Sequence, residues 1–345
     1  MPSRVLTARD LNRALLARQL LLERADLPLT EAIEQVGGLQ TQYAPSGYVG
    51  LWTRLAGFRR AALTQALEDR AVVQATLMRT TIHMVSRREF WPYALGIRQA
   101  RRAWARRVHL HPNATDAMSV EGAARLRDAL ADGPRTVREL GDLADGFLGW
   151  VGLWVDLVRV PPSGTWERRR ADRLGLAEAW VGPEQGTEVD GLRHVVRGYL
   201  RAFGPAPWGD IGRWAGVPVG ALKEAAAGGL ELVDHRDEAG RELLDLPGAP
   251  LPHPDTPAPV RFLPHWDAAL LVHARRTGIL PEPLRPAVFS TRHPFSVGTV
   301  LVDGSVAATW SVRDGRVTVE PVVAIRPHDA DEVERERLAL EAFHA

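Results

Sequence analysis

The chain has 345 residues, and its 43 lysines and arginines nearly balance its 42 aspartates and glutamates, for a formal net charge of +1. The absence of cysteine excludes disulfides, thiolate nucleophiles and cysteine-based zinc sites, and Lys223 is the one side chain available for a Schiff base. No apolar run reaches the roughly 18 residues of a membrane span, and the N-terminus lacks the apolar core of a signal peptide, so we expect a cytoplasmic protein.

The first hundred residues have the pattern of several helices followed by a pair of strands. An apolar stripe predicts a helix over residues 7–24, in which Thr7 is the N-cap and Asp10 stands at the third helical position. The elements predicted after it are helices over 28–36 and 60–68, strands over 72–78 and 80–85 on either side of Arg79, and a long basic helix over 86–109.

The same order of elements recurs twice. In the second copy, a helix over 119–131 precedes one that begins at Thr136 with Glu139 at the capping-box position, and strands flank residues 161–164. The third copy comprises helices over 191–203, 207–214 and 219–227 and a hairpin of strands 231–234 and 242–245. We therefore predict an α+β, mainly helical fold, in which three tandem winged helix-turn-helix units form a concave DNA-binding surface.

Composition divides the chain into four predicted parts. The three winged-helix units occupy residues 1–115, 116–190 and 191–248, and a proline-rich segment then marks a boundary. The last part, 249–345, comprises this linker, a β-meander with glycine turns and an acidic C-terminal helix. We expect it to form a β-rich subdomain.

Gln40 and Gln42 are separated by one residue and follow the Gly37-Gly38 break. On an extended segment, residues two apart point to the same side, so the two amides are predicted to converge. A pair of neutral amides can orient a water molecule or contact a base edge, but it cannot act as a strong acid, base or nucleophile. The alternative is a surface turn with two polar residues.

Positive charge is concentrated between Arg54 and His111, where twelve arginines stand against three acidic residues. Such a segment is either a basic face for phosphates or an arginine-rich solvated helix. The candidate DNA-binding residues are Arg79, His83, Arg98, Arg101, Arg102, Arg106, Arg168 and Arg169. For the first two of these, the alternative is a surface arginine and a packed histidine.

Three aromatic residues, Tyr43, Tyr48 and Trp52, follow the glutamines and either contact a lesion or pack in the core. Histidines and aspartates within 253–255 and 265–267 are of metal-ligand type, but they lack a two-histidine helical spacing. We therefore expect no metal. No glycine-rich phosphate loop is present in the sequence, and we expect no cofactor.

Five collinear segments carry a family resemblance. In chain order they are Gly-Gly-Leu-Gln-Thr-Gln at 37–42, Tyr-Val-Gly-Leu-Trp at 48–52, Leu-Met-Arg-Thr-Thr-Ile-His-Met-Val at 77–85, Phe-Leu-Pro-His-Trp-Asp at 262–267, and a meander with Val-Asp-Gly at 302–304 and Thr-Trp at 309–310. Together they resemble the AlkZ/YcaQ family of winged-helix DNA glycosylases. Gln42 matches the AlkZ-like branch, since the YcaQ-like branch has aspartate there, and Thr41 is less apolar than is usual in the family.

The resemblance implies a DNA repair glycosylase in which Gln40 and Gln42 are catalytic. We expect it to be monofunctional, because lyase chemistry needs a well-placed amine and Lys223 is the one lysine. The implied substrates are alkylated purines of the 7-alkylguanine type in double-stranded DNA, including bulky adducts and interstrand crosslinks. Amide chemistry agrees, because an N7-alkylated purine is already cationic and leaves without a strong acid. The resemblance also implies a site-supporting role for His265 and Asp267.

We further expect a nucleoid-associated monomer without an obligate protein partner, because a tandem array already supplies several DNA-contacting units. The alternative function is that of a non-enzymatic winged-helix transcriptional regulator. Such a protein would bind a palindromic site as a dimer and would catalyse no reaction.

Overall fold

The computed structural model describes residues 4–108, 115–144, 151–271, 276–289 and 296–345. Its helices are α1 (Ala8–Arg18), α2 (Leu29–Gln35), α3 (Pro45–Trp52), α4 (Arg60–Glu68), α5 (Arg87–Arg107), α6 (Asp116–Leu130), α7 (Ala177–Trp180), α8 (Glu188–Phe203), α9 (Trp208–Ala215), α10 (Val219–Ala227), α11 (Arg285–Val288) and α12 (Pro327–His344). Within these described ranges, no helix is both long and apolar enough to cross a bilayer.

The strands are β1 (Val5–Leu6), β2 (Leu39–Gln40), β3 (Val72–Thr76), β4 (Ile82–Ser86), β5 (Arg135–Thr136), β6 (Leu157–Arg159), β7 (Arg173–Leu176), β8 (Val233–Asp237), β9 (Glu242–Asp245), β10 (Arg261–Leu263), β11 (Gly298–Val302), β12 (Ser305–Arg313) and β13 (Arg316–Pro321). The largest sheet is antiparallel with the order β2-β4-β3-β6-β7-β5, so the strand that ends at Gln40 lies at one edge. A second antiparallel sheet has the order β10-β11-β12-β13. In the third, β8 lies between its hairpin partner β9 and β1, which runs parallel to it.

The sheet that contains β2 is apolar on both faces. Side chains that alternate along a strand point to opposite faces, so Val73 packs with Trp214 in a core shared with α5, α8 and α9. Its neighbour Val72 belongs to a second core, which includes Phe262 and Trp310 of the C-terminal sheet. The glutamine segment therefore lies at the edge of a sheet that is packed on both sides.

Most of the predicted elements are present, and α4 and α10 have the predicted bounds. Thr7 caps α1 as predicted: its Oγ1 accepts a hydrogen bond from the Asp10 N–H at 3.1 Å, and the Asp10 carboxylate accepts one from the Thr7 N–H at 2.9 Å. The predicted extension of this helix to residue 24 is wrong, because Leu20 has a φ of 55°, which an α-helix does not accommodate. The sequence pattern does not predict α3, which contains two glycines and a proline.

The predicted α+β class is confirmed, and two strand pairings cross the predicted unit boundaries. β3 from the first predicted unit pairs with β6 from the second, through Gln74 opposite Arg159. β1 pairs with β8 of the third unit, through Val5 opposite Arg236. The four-part division of the chain stays a prediction.

The long helix α5 crosses α8 at a point where two glycines meet. A Cβ built on Gly96 would stand 2.4 Å from the backbone oxygen of Gly191, and a Cβ on Gly191 would stand 2.4 Å from the Gly96 nitrogen. A contact that short is not compatible with any side chain, because both neighbouring atoms belong to helix backbone. The close crossing packs α8 and α9 against the face of the β2 sheet that carries Val73.

We expect Gly96→Ala to destabilise the protein by roughly 1–3 kcal/mol, because the added methyl overpacks the helix crossing and forces the backbones apart. Urea unfolding would measure this loss. The matched control is Gly220→Ala on α10, where an added Cβ meets nothing within 4 Å. There alanine should be neutral or stabilising by up to about 1 kcal/mol, since it favours the helix. Equal stability of Gly96→Ala and the wild type would contradict the close packing.

Candidate active site

The glutamine segment enters the sheet because two glycines end the preceding helix. Gly37 and Gly38 have φ angles of 76° and 82°, in the region that L side chains avoid. A Cβ on Gly38 would also stand 3.1 Å from the Met84 carbonyl oxygen, so glycine permits the close approach of β4. β2 then pairs with β4, and Gln40 lies opposite His83.

Both glutamine side-chain oxygens are held by donors from the segment 79–82. Gln40 Oε1 accepts a hydrogen bond from Arg79 Nη2 at 2.6 Å, and Gln42 Oε1 accepts one from the Ile82 backbone N–H at 2.8 Å. Guanidinium and backbone N–H groups only donate, so these partners fix which end of each amide is the oxygen. Gln40 is 6% exposed, whereas Gln42 is exposed to solvent.

Thr41 points to the opposite side of this strand and is buried. Its Oγ1 accepts a hydrogen bond from Gln74 Nε2 at 3.1 Å, and its backbone N–H donates to the Ile82 carbonyl at 2.8 Å. Whether the Gln42 side chain lies on the same side as that of Gln40 stays a prediction, because β2 ends at Gln40 and Gln42 stands in a bend. The hydrogen bonds of Thr41 to Gln74 and to Ile82 fix the position of this segment on the sheet.

Arg79 connects the glutamine segment to the end of α9. It lies in a 3-10 turn with a φ of 53°, and its Nη1 donates to the Trp214 carbonyl at 2.5 Å. Burial lowers the pKa of its guanidinium to about 10, and no carboxylate of the described residues forms an ion pair with it. At neutral pH, Arg79 is therefore a largely buried cation that is satisfied by two carbonyl-type oxygens.

His83 is a core residue, not a surface contact. It is 2% exposed, and its Nδ1 lies 3.0 Å from the Thr81 carbonyl oxygen, which requires Nδ1 to carry the hydrogen. Burial, followed by the nearby charge of Arg79, lowers the pKa of His83 to about 3. The ring is neutral at physiological pH and buried, so the predicted role of His83 in DNA binding is corrected to a packing role.

The basic helix α5 uses much of its charge internally. Arg101 is buried and donates to Asp156 at 2.7 Å, and Arg98 bridges Asp156 and Glu184. These two arginines stabilise a buried carboxylate and are not available to phosphates, which corrects their predicted role. The predicted continuation of this helix to His109 falls outside the described residues.

Two other arginines of α5 keep the predicted role as DNA-binding candidates. Arg106 pairs with Asp116, but both side chains are about half exposed, and such a pair yields readily to a phosphate. Arg102 forms no ion pair with a described carboxylate, and burial with the charges of Arg98 and Arg101 lowers its pKa. A phosphate beside Arg102 would relieve this repulsion.

Arg168 and Arg169 lie on the exposed loop between β6 and β7. Arg169 Nη1 donates to the Tyr43 hydroxyl at 3.0 Å, and its guanidinium lies 5.8 Å from the centre of that ring. Tyr43 is half-buried and meets the His265 ring edge-on at 5.6 Å. The arginine loop and the end of the glutamine segment are therefore in direct contact.

Of the other two aromatic candidates, Tyr48 lies in the core and Trp52 packs at the edge of it. Tyr48 is fully buried, its hydroxyl lies 2.9 Å from Thr64 Oγ1, and burial raises its pKa. Trp52 packs on Phe343 of the C-terminal helix, with ring centres 5.9 Å apart. Tyr48 cannot reach a DNA lesion without unpacking, so its predicted contact is corrected. Trp52 is partly buried, and its predicted contact, like that of Tyr43, stays a prediction.

Arg159 is a candidate that the sequence pattern did not single out. It lies on β6, and its Nη1 donates to Thr76 Oγ1 at 3.1 Å. Burial lowers its pKa to about 10, and no carboxylate of the described chain forms an ion pair with it. The available signal was an arginine inside the otherwise apolar run 157–160.

The segment 265–267 supports the site from the C-terminal side. The Asp267 side chain is 1% exposed and accepts two hydrogen bonds from Arg54, at 2.9 and 3.0 Å. Burial lowers the pKa of His265, which packs between Tyr43 and Trp310. In the part of the chain that the structure describes, no cluster of three or more histidine, aspartate or glutamate side chains could hold a metal ion.

Comparisons with known proteins agree with this architecture. The fold is similar to that of Streptomyces sahachiroi DNA glycosylase AlkZ, with a TM-score of 0.78 at 20% identity, over 99% of this chain and 97% of that one. A search of curated protein sequences finds no match. The family model described as DNA glycosylase AlkZ-like matches residues 33–343. This range includes the glutamine segment and every strand named above except β1. Because that match covers nine-tenths of its length, the chain belongs to the AlkZ-like family of DNA glycosylases.

Proposed function

We propose that this DNA glycosylase hydrolyses the N-glycosidic bond of cationic alkylated purines of the 7-alkylguanine type in double-stranded DNA, and that it does so as a monomer without a cofactor. One observation carries the proposal. The polar side chains at the family's glutamine motif are two amides whose oxygens accept fixed hydrogen bonds, a partly buried arginine and, in the adjoining core, a neutral histidine. This set supplies oriented dipoles but no strong acid or base.

The choice of substrate follows from that chemistry. A purine alkylated at N7 carries a positive charge, which weakens its glycosidic bond and removes the need to protonate the leaving base. Catalysis then requires orientation of the nucleotide and of a water molecule, together with preorganised dipoles, and fixed amides supply both. A neutral base such as uracil would need an acid, and with a pKa near 3 His83 holds no proton to give at neutral pH.

The DNA-binding surface that we propose is built from winged-helix units. The helices α8, α9 and α10, followed by the hairpin β8–β9, have the order and lengths of such a unit, and α9 contacts Arg79 beside the glutamines. Arg102, Arg168 and Arg169 are the proposed phosphate contacts, with Arg106 in a lesser role. The exposure of Gln42 supports bulky adducts and crosslinks as substrates, because the alkyl group need not be enclosed.

A direct test uses a duplex oligonucleotide with a single 7-methylguanine, incubated with the purified protein and then heated in alkali to cleave abasic sites. We expect one strand break at the lesion, and intact strands for duplexes that contain uracil or only normal bases. Intact 7-methylguanine strands would contradict the proposal. Tight, sequence-specific binding of an undamaged palindrome would then favour a transcriptional regulator.

A further inference from the structure

The guanidinium of Arg79 donates a hydrogen bond to the side-chain oxygen of Gln40 and not to the nitrogen of the same amide. Its Nη2 lies 2.6 Å from Gln40 Oε1, and its Nη1 lies 2.5 Å from the Trp214 carbonyl oxygen, so the arginine is fixed at both ends of its fork. Within the described residues, Gln40 Nε2 donates to no protein group. The two N–H bonds of that nitrogen are thus available to a ligand.

We propose that Arg79 is a positioning residue that sets the hydrogen-bonding polarity of Gln40, so that Gln40 acts on the substrate as an N–H donor. This inference rests on the function proposed above. A cation bonded to the amide oxygen withdraws electron density from it, which weakens the oxygen as an acceptor and strengthens the nitrogen as a donor. Gln42 is oriented the same way by the neutral Ile82 N–H, without that polarisation.

The substrate group that suits such a donor is an acceptor atom on the purine itself. When the bond between C1′ and N9 breaks, its electron pair moves to the base, the positive charge passes from the base to the sugar, and water adds at C1′ and releases a proton to solvent. Electron density on the ring nitrogen and carbonyl oxygen of the purine rises as this happens. A fixed N–H donor bonds these atoms more strongly in the transition state than in the ground state.

Arg79 differs in this respect from an arginine that binds a phosphate. It is largely buried, and its fork is already engaged by two protein oxygens. Arg102 on α5 lacks the second feature, since it forms no ion pair with a described carboxylate and is repelled by its arginine neighbours. The two residues should therefore affect different kinetic constants.

Gln40→Glu tests the polarity directly. Beside Arg79 the new carboxylate is ionised and accepts hydrogen bonds only, so the contact with the arginine is kept while the donor is lost. We expect the single-turnover excision rate of 7-methylguanine to fall by about 100-fold or more, with duplex affinity within about threefold of the wild type. An excision rate equal to or above that of the wild type would overturn the proposal, because it would mean that Gln40 serves as an acceptor.

The second variant is Arg79→Gly. Glycine is chosen because it tolerates the φ of 53° at this position. We expect the rate at saturating enzyme to fall at least tenfold, and millimolar guanidinium to restore part of it, while the salt dependence of DNA binding is unchanged. The matched control Arg102→Ala should instead weaken binding and lower the salt slope by about 1. If Arg79→Gly behaves like that control, Arg79 is a phosphate contact and the proposal fails.

Different results contradict the proposed function and the proposed polarity of Gln40. An inactive wild-type protein contradicts the proposed function, whereas an active wild type with an equally active Gln40→Glu variant contradicts the polarity alone. Thermal unfolding of each variant confirms that it is folded. If Arg79→Gly does not fold, Gln40→Glu still decides the question, because it keeps an oxygen acceptor in contact with Arg79.

Discussion

The double variant Gln40→Ala/Gln42→Ala is expected to lose release of 7-methylguanine by at least about 10³-fold, while its affinity for duplex DNA stays within a few-fold of the wild type. One fixed hydrogen-bond donor in an active site commonly contributes 10²–10³ in rate, and two that act together are not additive. Neither side chain carries charge, so the electrostatic attraction to phosphates is unchanged. Single-turnover excision and a binding titration on the same duplex would measure the two effects.

The matched control is Gln65→Ala on α4, which removes the same amide from an exposed position where it donates to Asp69 at 2.9 Å. That variant should excise at the wild-type rate. If the double variant at 40 and 42 does so as well, the catalytic assignment is wrong. If it loses binding and excision in parallel, the glutamines are DNA contacts with no separate role in the chemical step.

The second large effect is on stability. Asp267→Ala is expected to destabilise the protein by about 3–5 kcal/mol, because it leaves the Arg54 guanidinium buried without its counter-charge. Both side chains are 1% exposed, and Arg54 also donates to the Gly50 carbonyl and to Gln19 Oε1, so the pair joins α3 to the C-terminal part of the chain. Urea unfolding at constant pH would measure the change.

An exposed ion pair provides the comparison for this prediction. Asp116→Ala removes the partner of Arg106, but both of those side chains remain in contact with water, and the unfolding midpoint should hardly move. A similar midpoint for Asp267→Ala would contradict the buried pairing. Since α3 directly follows the glutamine segment, partial loss of excision at temperatures well below unfolding is also expected of Asp267→Ala.

The sequence predicts correctly those elements whose formation depends on residues close together in the chain. The capping box at Thr7 and Asp10, the glycine break at residues 37–38 and the helix over 60–68 are all determined by neighbours in sequence, and the structure contains each of them. The convergence of Gln40 and Gln42 on one side, which alternation along an extended segment predicts, stays a prediction. The catalytic role assigned to Gln40 and Gln42 rests on the family resemblance. Their spacing alone does not distinguish a catalytic pair from two polar residues in a surface turn.

Tertiary contacts account for what the sequence did not predict. Whether an arginine of α5 faces DNA depends on Asp156, which lies some 55 residues away and holds both Arg98 and Arg101. The burial of Tyr48 depends on Trp166, against which it packs. One hydrogen-bond partner of Arg79 is the backbone carbonyl of Trp214. Because every residue has such a carbonyl, no sequence pattern identifies this one as a partner.

The pairing of β1 with β8 has a consequence for how the protein is made. Val5 leaves the ribosome more than 200 residues before its partner Arg236, a delay on the order of ten to fifty seconds at about 5–20 residues per second. The delay is longer still for Trp52, which packs on Phe343. Nascent chains therefore carry exposed apolar surface for most of synthesis, and we expect the yield of folded enzyme to depend on chaperones more than its size alone would suggest.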